Sequence, residues 1–476
     1  MAVAVTDLHH LSATEARALF AARDLSPVEL LDAVVTRIEK VNADVNALTE
    51  QLIDEAYESA REAERRYAGA GLAPRPLEGL PLVLKEEQPI AGRTLEEGSL
   101  VEQGTVADVT HPVVERVYDA GAVVHARSTT PEFSCAPFTH SRLWGVTRNP
   151  WNLDATPGGS SGGAGAVLAA GMTTLATGSD IGGSIRIPAS FCGVVGFKPP
   201  FGRVPGLAPF NQDTYCADGP MGRTVADVAL LQNVLAGPHP ADQASLRPAY
   251  RLPRLLGTDV ADLRVALCVN LGDYPVDPAV EANTRAAADA LRQAGVVVDE
   301  VTLPWRREQL VATAWAHFGA VMGPFIDEVV GPHADQVMPY TREFAEAGRT
   351  AGPYVDGLVS ETELYRPLGE ILERYDALLC PTIGAQSIPA DAAGRETPIP
   401  VGDATYPWAD VILTLPFNVI GRVPVLSVPS GLSPDGVPTG VQLVGRTYDD
   451  ATVFHLGAAL ERTLDLASGD DWWPSP

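Results

Sequence analysis

Lysine is nearly missing from this chain: Lys40, Lys85 and Lys198 are the three in 476 residues, where 34 positions are lysine or arginine and 60 are aspartate or glutamate. The resulting net charge of −26 repels phosphate backbones and anionic lipid, so neither nucleic acid nor a membrane surface is an expected partner. Cysteine is scarce as well. Cys135, Cys192, Cys216, Cys268 and Cys380 lie scattered without C-x-x-C spacing, which argues against both a disulfide framework and a zinc site. No apolar run approaches the ~20 residues of a membrane span. The N-terminal MAVAVTDLHHLSATEARALF lacks a basic leader followed by an apolar segment, so a reducing cytoplasm is the expected compartment. No metal or cofactor is called for.

Apolar material is plentiful: 46% hydrophobic residues with 20% charged suits a soluble chain with a sizeable core. Residues 13 to 69 read as helices. Ser26, Pro27 and Glu29 form a capping-box start ahead of Val28, Leu31, Val34, Val35 and Ile38 at helical spacing. Short apolar runs then alternate with helical stretches. LPLVL ending at Lys85, GAVVHA, VVGFK and LRVALCV read as strands, and His111–Ala120, the run from Thr224 and the Asp277-Pro278 start read as helices. This alternation predicts an α/β fold with a large, mostly parallel, twisted mixed sheet covered by helices on both faces. Residues 304–375, with Trp305, Trp315, Phe318 and Phe325, break the rhythm as a helical insertion able to wall a pocket. DALLCPTI, VPVLSVPSG and VPTGVQLVG resume the sheet before an amphipathic helix from Ala451. Without repeats or linkers, residues 1–476 read as one domain, with 1–70 its N-terminal helical segment.

The unusual chemistry sits between Pro157 and Gly193, PGGSSGGAGAVLAAGMTTLATGSDIGGSIRIPASFCG. Two glycine-flanked serine sites, GGSSGG around Ser160 and Ser161 and DIGGS ending at Ser184, suggest backbone N–H groups that approach a ligand closely. A serine hydroxyl needs a base, and the block contains no histidine. Lys85 is a candidate, because burying an ammonium disfavours its charged form. Glu86 and Glu87 beside it would favour that form, and their directions are not legible. His125 and His140 read as core or surface histidines. Other readings are open at this level. Gly158–Gly162 matches G-x-S-x-G literally, yet the polar, proline-broken NPWNLDATP before it is a poor strand for a nucleophile elbow. A phosphate-binding glycine turn lacks Walker spacing and any G-x-G-x-x-G. A non-catalytic binding protein is the third.

From about residue 20 to 465 the chain resembles the amidase signature family of serine hydrolases. The resemblance rests on LEGLPLVLKE, TTPEF, WGVTRNPWN, the block from GGSSGG to DIGGSIRIPASFCGVVGFKP, DGPMGRTVADVALL, DALLCPTI, and PFNVIGRVPVLSVPSG with GVPTGVQLVGR. It implies a Ser-cisSer-Lys triad: Ser184 as nucleophile, Ser160 as bridging serine, Lys85 as base. It also implies an oxyanion hole from the N–H groups of Ile181, Gly182 and Gly183, with that of Ser184 close by, and Ser161, Asp180 and Arg186 as supports. Glu86 stands where the family commonly has Asp, Ser179 where it has Thr, and Thr129 where it has Asn. These departures bear on supporting hydrogen bonds and substrate preference. The expected function is hydrolysis of small, partly apolar amides through an acyl-serine, with carbamates or esters as further substrates, and the aromatic insertion and the Pro209–Tyr215 loop as walls. The alternative is an amidotransferase-like subunit that works on aminoacyl-tRNA with a partner protein, against which the net charge argues. A small-molecule amide is the expected partner, and homodimerisation is left open.

Overall fold

In the computed structural model, residues 8–258, 260–394, 397–466 and 472–474 are described. Eleven strands form one sheet: β1 Leu48–Gln51, β2 Pro81–Lys85, β3 Val123–Ser128, β4 Leu175–Asp180, β5 Val195–Lys198, β6 Ala217–Gly222, β7 Arg264–Leu267, β8 Val297–Glu300, β9 Ala377–Pro381, β10 Val425–Leu432 and β11 Pro438–Gly445, in the order β1-β3-β2-β4-β6-β5-β10-β11-β9-β7-β8. Alternate residues of a strand face opposite sides of its sheet. Every residue of β2, β3, β5, β9 and β11 is buried, so both faces are covered. The last strand, β8, buries only Val298 of its four residues, as suits an edge.

The mixed α/β sheet stands, with its parallel share smaller than strand-helix alternation implies. Parallel pairs flank the sheet, β3-β2-β4 on one side and β9-β7-β8 on the other. The central pairs β4-β6, β6-β5, β5-β10, β10-β11 and β11-β9 are antiparallel. The reason lies partly in β6, ADGPMG, whose glycines and Pro220 hide a strand that reverses the chain in mid-sheet.

Local signals operate as read. Ser26 caps the helix Pro27–Val45 with both capping-box bonds in place, and that helix buries Leu30, Leu31, Val34, Ile38 and Val41. Asp277 caps Pro278–Gln293, and Thr224 caps Val225–Leu235. Four helices, Arg307–Val321, Gly323–His333, Pro339–Thr350 and Tyr354–Leu372, occupy the aromatic-rich stretch. Their buried faces join the sheet's core: Phe318, Ile326 and Phe344, with Met322 between the first two helices, lie in one hydrophobic cluster with Leu378, Cys380 and Ile187. Among the described residues no helix is long and apolar enough to cross a membrane.

Candidate active site

Two parallel neighbours deliver the polar side chains. β2 ends at Lys85 and β4 at Ser179 and Asp180, so both present their last residues at one rim of the sheet, where ligands of α/β folds bind. Lys85 is fully buried. Its Nζ lies 2.7 Å from Ser160 Oγ, 2.9 Å from Ser179 Oγ and 3.0 Å from Glu87 Oε2. Glu87 also accepts from the Ser134 hydroxyl, which is 2.9 Å from Thr130 Oγ1. The two glutamates after the lysine therefore part. Glu86 turns the other way and accepts from the backbone N–H groups of Glu96 (2.7 Å) and Glu97 (3.1 Å). Burial pushes its carboxyl up to about 7, against the pull of Arg127 and those N–H groups.

Ser160 follows a cis peptide from Gly159. A Cβ at Gly159 would sit 2.6 Å from Phe138 N and 2.7 Å from Ala136 O, so only glycine lets the loop lie this close to its neighbour. The Ser161 N–H donates to the Ser184 carbonyl at 3.1 Å, which stitches the two serine sites together. Ser161 Oγ bridges the backbone of Ser179, to both N and O at 3.3 Å. Ser184 remains 7% exposed, whereas Ser160 is 1% and Lys85 0%, so of the three expected triad members it is the one a substrate reaches most readily.

Below the glycine turn lies a buried ion pair. Asp180 accepts from Arg186 Nε (3.0 Å) and Nη2 (2.8 Å), from the N–H groups of Gly183 (2.9 Å) and Ile185 (3.1 Å), and from Asn418 Nδ2 (2.8 Å). Burial alone would raise this carboxyl. The Arg186 guanidinium, helped by its hydrogen bonds and by Asn418, outweighs burial and holds Asp180 below the usual carboxylate range. Arg186 reaches on to Gln442 Oε1 (2.7 Å) and the Thr414 carbonyl (3.0 Å), and Thr414 Oγ1 donates to the Gly182 carbonyl at 2.8 Å. Because the Gly183 N–H is committed to Asp180, the expected set of oxyanion donors loses one member in this geometry.

The family described as Amidase matches residues 29–454. The chain belongs to the amidase signature family. It is 33% identical to the acylamidase of Rhodococcus erythropolis, over 96% of each chain. It is equally 33% identical to one subunit of the glutamyl-tRNA(Gln) amidotransferase of Chloroflexus aurantiacus, over 97% of this chain and 98% of that one. The crystal structure of a bacterial aryl acylamidase superposes with a TM-score of 0.89 at 27% identity, covering 98% of both chains. As an amidase signature enzyme it hydrolyses carbon–nitrogen bonds other than peptide bonds.

Two cavities open on this amidase site. The smaller, about 90 Å³, is walled by apolar residues including Ile187, Trp315, Phe318, Phe344 and Trp408, and contains Ser184 and Gly182. The larger, about 450 Å³, contains Ser160, Ser179 and Glu87, and is shaped by Phe133, Leu207 and Phe325. Ile181 and Ser134 border both. Of the expected walls, Pro209 and Phe210 line the larger cavity, but Tyr215 turns inward. It stacks on His317 at 3.6 Å and donates to Glu361 at 2.7 Å, while its carbonyl accepts from Asn418. Trp305 is no wall either: it is buried, with Nε1 donating to the Leu364 carbonyl. His125 is a core histidine, bonded to Thr173 and lowered to about 3 by burial. His140 is half-buried, near the Ala392 carbonyl.

Sequence reasoning missed Ser179 and Glu87 as partners of the lysine, Ser134 as a partner of Glu87, Thr414 as a partner of the glycine turn and Gln442 as a partner of Arg186. Lys85 with Glu87 is a local signal that direction alone concealed. Thr414 and Gln442 arrive from more than two hundred residues away, so only the fold reveals them.

Proposed function

We propose that the protein is a stand-alone acylamidase that cleaves small amides through an acyl-serine on Ser184. Ser160 passes the Ser184 proton to Lys85, and Ser184 Oγ attacks the carbonyl carbon. The oxyanion faces the N–H groups of Ile181, Gly182 and Ser184, and Gly183 frames the turn through Asp180. One such donor is worth about 3–4 kcal/mol, or roughly a hundredfold to a thousandfold in rate. When the C–N bond breaks, Ser160 gives a proton to the leaving nitrogen and is resupplied by Lys85. Water then opens the ester by the same route, releasing the carboxylic acid and restoring the serine.

The 2.7 Å approach of Lys85 Nζ to Ser160 Oγ is the observation that carries this reading. Nζ is also held by Ser179 Oγ at 2.9 Å and Glu87 Oε2 at 3.0 Å, which fix it against Ser160. An apolar cavity lined with dry carbon has bound benzene at about 150 Å³. The smaller cavity, at about 90 Å³, therefore favours compact apolar acyl groups. Carbamates and esters present the same carbonyl to the same donors.

The test combines fluorophosphonate labelling with turnover of an anilide, aliphatic amide, carbamate and ester panel. Label on Ser184, none in Ser184→Ala, and a loss of several orders of magnitude in kcat for Lys85→Ala are the expected results. Label on Ser160, or wild-type rates in Lys85→Ala, would refute it. The likeness to an amidotransferase component favours a second reading, an aminoacyl-tRNA enzyme working with a partner protein. The net charge of −26 opposes tRNA binding.

A further inference from the structure

A relay that returns its proton to the leaving nitrogen must end at that nitrogen. Ser160 borders the larger cavity, whereas Ser184 and Gly182 border the smaller. With the carbonyl oxygen against the amides of Ile181 and Gly182, the acyl substituent points into the smaller cavity and the nitrogen substituent into the larger.

The larger cavity is lined by four carboxylates, Glu87, Glu97, Asp218 and Asp242, and by no lysine or arginine among the described residues. Three of the four are engaged. Glu87 holds Lys85 and Ser134. Asp218 accepts from Gln88 Nε2 at 2.7 Å and faces His111 Nε2 at 3.4 Å. Asp242 accepts from the N–H groups of Gly206 and Ala244 and from the Asn211 amide. The Glu97 carboxylate has no hydrogen-bond or ion-pair partner among the described residues, yet its backbone is pinned. Its N–H donates to Glu86 Oε2 and its carbonyl accepts from Phe133 N at 2.8 Å. Its φ of +47° lies in the left-handed region, which a non-glycine residue keeps only where the surroundings hold it. A positioned acceptor thus faces a chamber otherwise walled by Leu95, Val109, Phe133, Leu207 and Phe325, which suits a methylene chain ending in a donor.

We propose that the leaving amine occupies the larger cavity and that Glu97 selects amines bearing a second, protonated nitrogen, as in monoacylated diamines; this rests on the Ser184–Ser160–Lys85 relay proposed above. The amide C–N bond breaks, the acyl carbon bonds to Ser184 Oγ, the serine proton ends on the leaving nitrogen, and water later hydrolyses the ester. The distal ammonium takes no part in bond making. Burial, then the like charges of Glu87, Glu86 and Glu102, push the Glu97 carboxyl up to about 8 against the pull of Lys85. A cation arriving beside it therefore displaces a proton.

The test compares kcat/KM for N-butanoyl diamines, ethylene to hexamethylene, with N-butanoyl n-alkylamines of matching length. At about pH 8.5 most of the Glu97 carboxyl is ionised and the distal amine is still largely protonated. A charge-assisted bond predicts about a tenfold preference for the cationic amide at one chain length. Glu97→Gln should collapse that ratio, and Glu97→Asp should move the optimum to a longer diamine. Equal handling of both series by the wild type, or a ratio that survives in Glu97→Gln, overturns the assignment. Calorimetry on Ser184→Ala protein reads the same preference without turnover. If no amide is cleaved, the acylamidase reading fails, while equal affinities there would sink the role of Glu97 alone.

Discussion

Asp180→Asn takes one charge from beneath the glycine turn and changes almost no volume. The wild-type carboxylate accepts from Gly183 N–H, Ile185 N–H, Arg186 Nε, Arg186 Nη2 and Asn418 Nδ2, all within 3.1 Å. An amide keeps one acceptor oxygen and sets an NH₂ against the other donors, so some of them lose their acceptor whichever way it turns. Arg186, fully buried, is left without its counter-charge. Removing one partner of a buried pair costs about 3–5 kcal/mol. At roughly 2.1 cal/mol/K per residue, the unfolding entropy of a chain this long is about 1 kcal/mol/K, so Tm should fall by about 3–5 °C. Catalysis should suffer more. The Gly183 amide loses the atom that fixes the turn, and misplacing one oxyanion donor costs about 10²–10³ in kcat. A thermal melt by circular dichroism, run beside kcat and KM on a chromogenic anilide, checks both. A variant that melts within about 1 °C of wild type and keeps kcat within about twofold would show that this charge neither supports the fold nor holds the turn.

Gly183→Ala should be worse tolerated than its size suggests. Its Cβ would lie 2.0 Å from Thr414 Oγ1 and 2.6 Å from Thr414 Cβ, at a φ of +125°. Overpacking and backbone strain together cost about 2–6 kcal/mol, readable as a lower urea midpoint; an unchanged midpoint contradicts the geometry. Far from the site, Glu461 accepts from Val225 N–H at 3.0 Å, and burial pushes its carboxyl up to about 7. The folded state thus keeps a proton that the unfolded chain gives up above about pH 4.5. That contribution to stability is full below about pH 4.5 and lost as pH climbs through about 7. Glu461→Gln should therefore lose less stability than wild type between pH 5 and 7; parallel pH profiles would speak against it.

Much of this was legible because the signals were local. Ser26, Pro27 and Glu29 mark a helix start within four residues, and LPLVL names a buried strand whose last residue is the lysine of the site. The glycine–serine block likewise carries Ser160, Ser161, Asp180, Ser184 and Arg186 within twenty-seven positions. What stayed hidden depends on neighbours remote in sequence. β6 is a strand because β4 and β5 bracket it, against the preferences of Gly219, Pro220 and Gly222. The divergence of Glu86 and Glu87 needs a loop ten residues away to receive one and a buried amine to receive the other. Trp305 and Tyr215 look like wall residues by composition, but their polar atoms find partners inside the protein.

The two cavities differ in how freely they can change. Phe318, Met322 and Phe344 border the smaller one and also belong to the cluster that packs the sheet. Truncating any of them to admit a bulkier acyl group would cost about 2–5 kcal/mol, a large share of the 5–15 kcal/mol that holds a typical protein together. Phe210 and Phe325, at the larger cavity, are 40% and 48% exposed, where exchanges typically move stability by about 0.5 kcal/mol or less. Under the proposed placement of the substrate, mutational drift can therefore retune the departing half long before it can retune the retained half, and a laboratory selection would meet the same asymmetry.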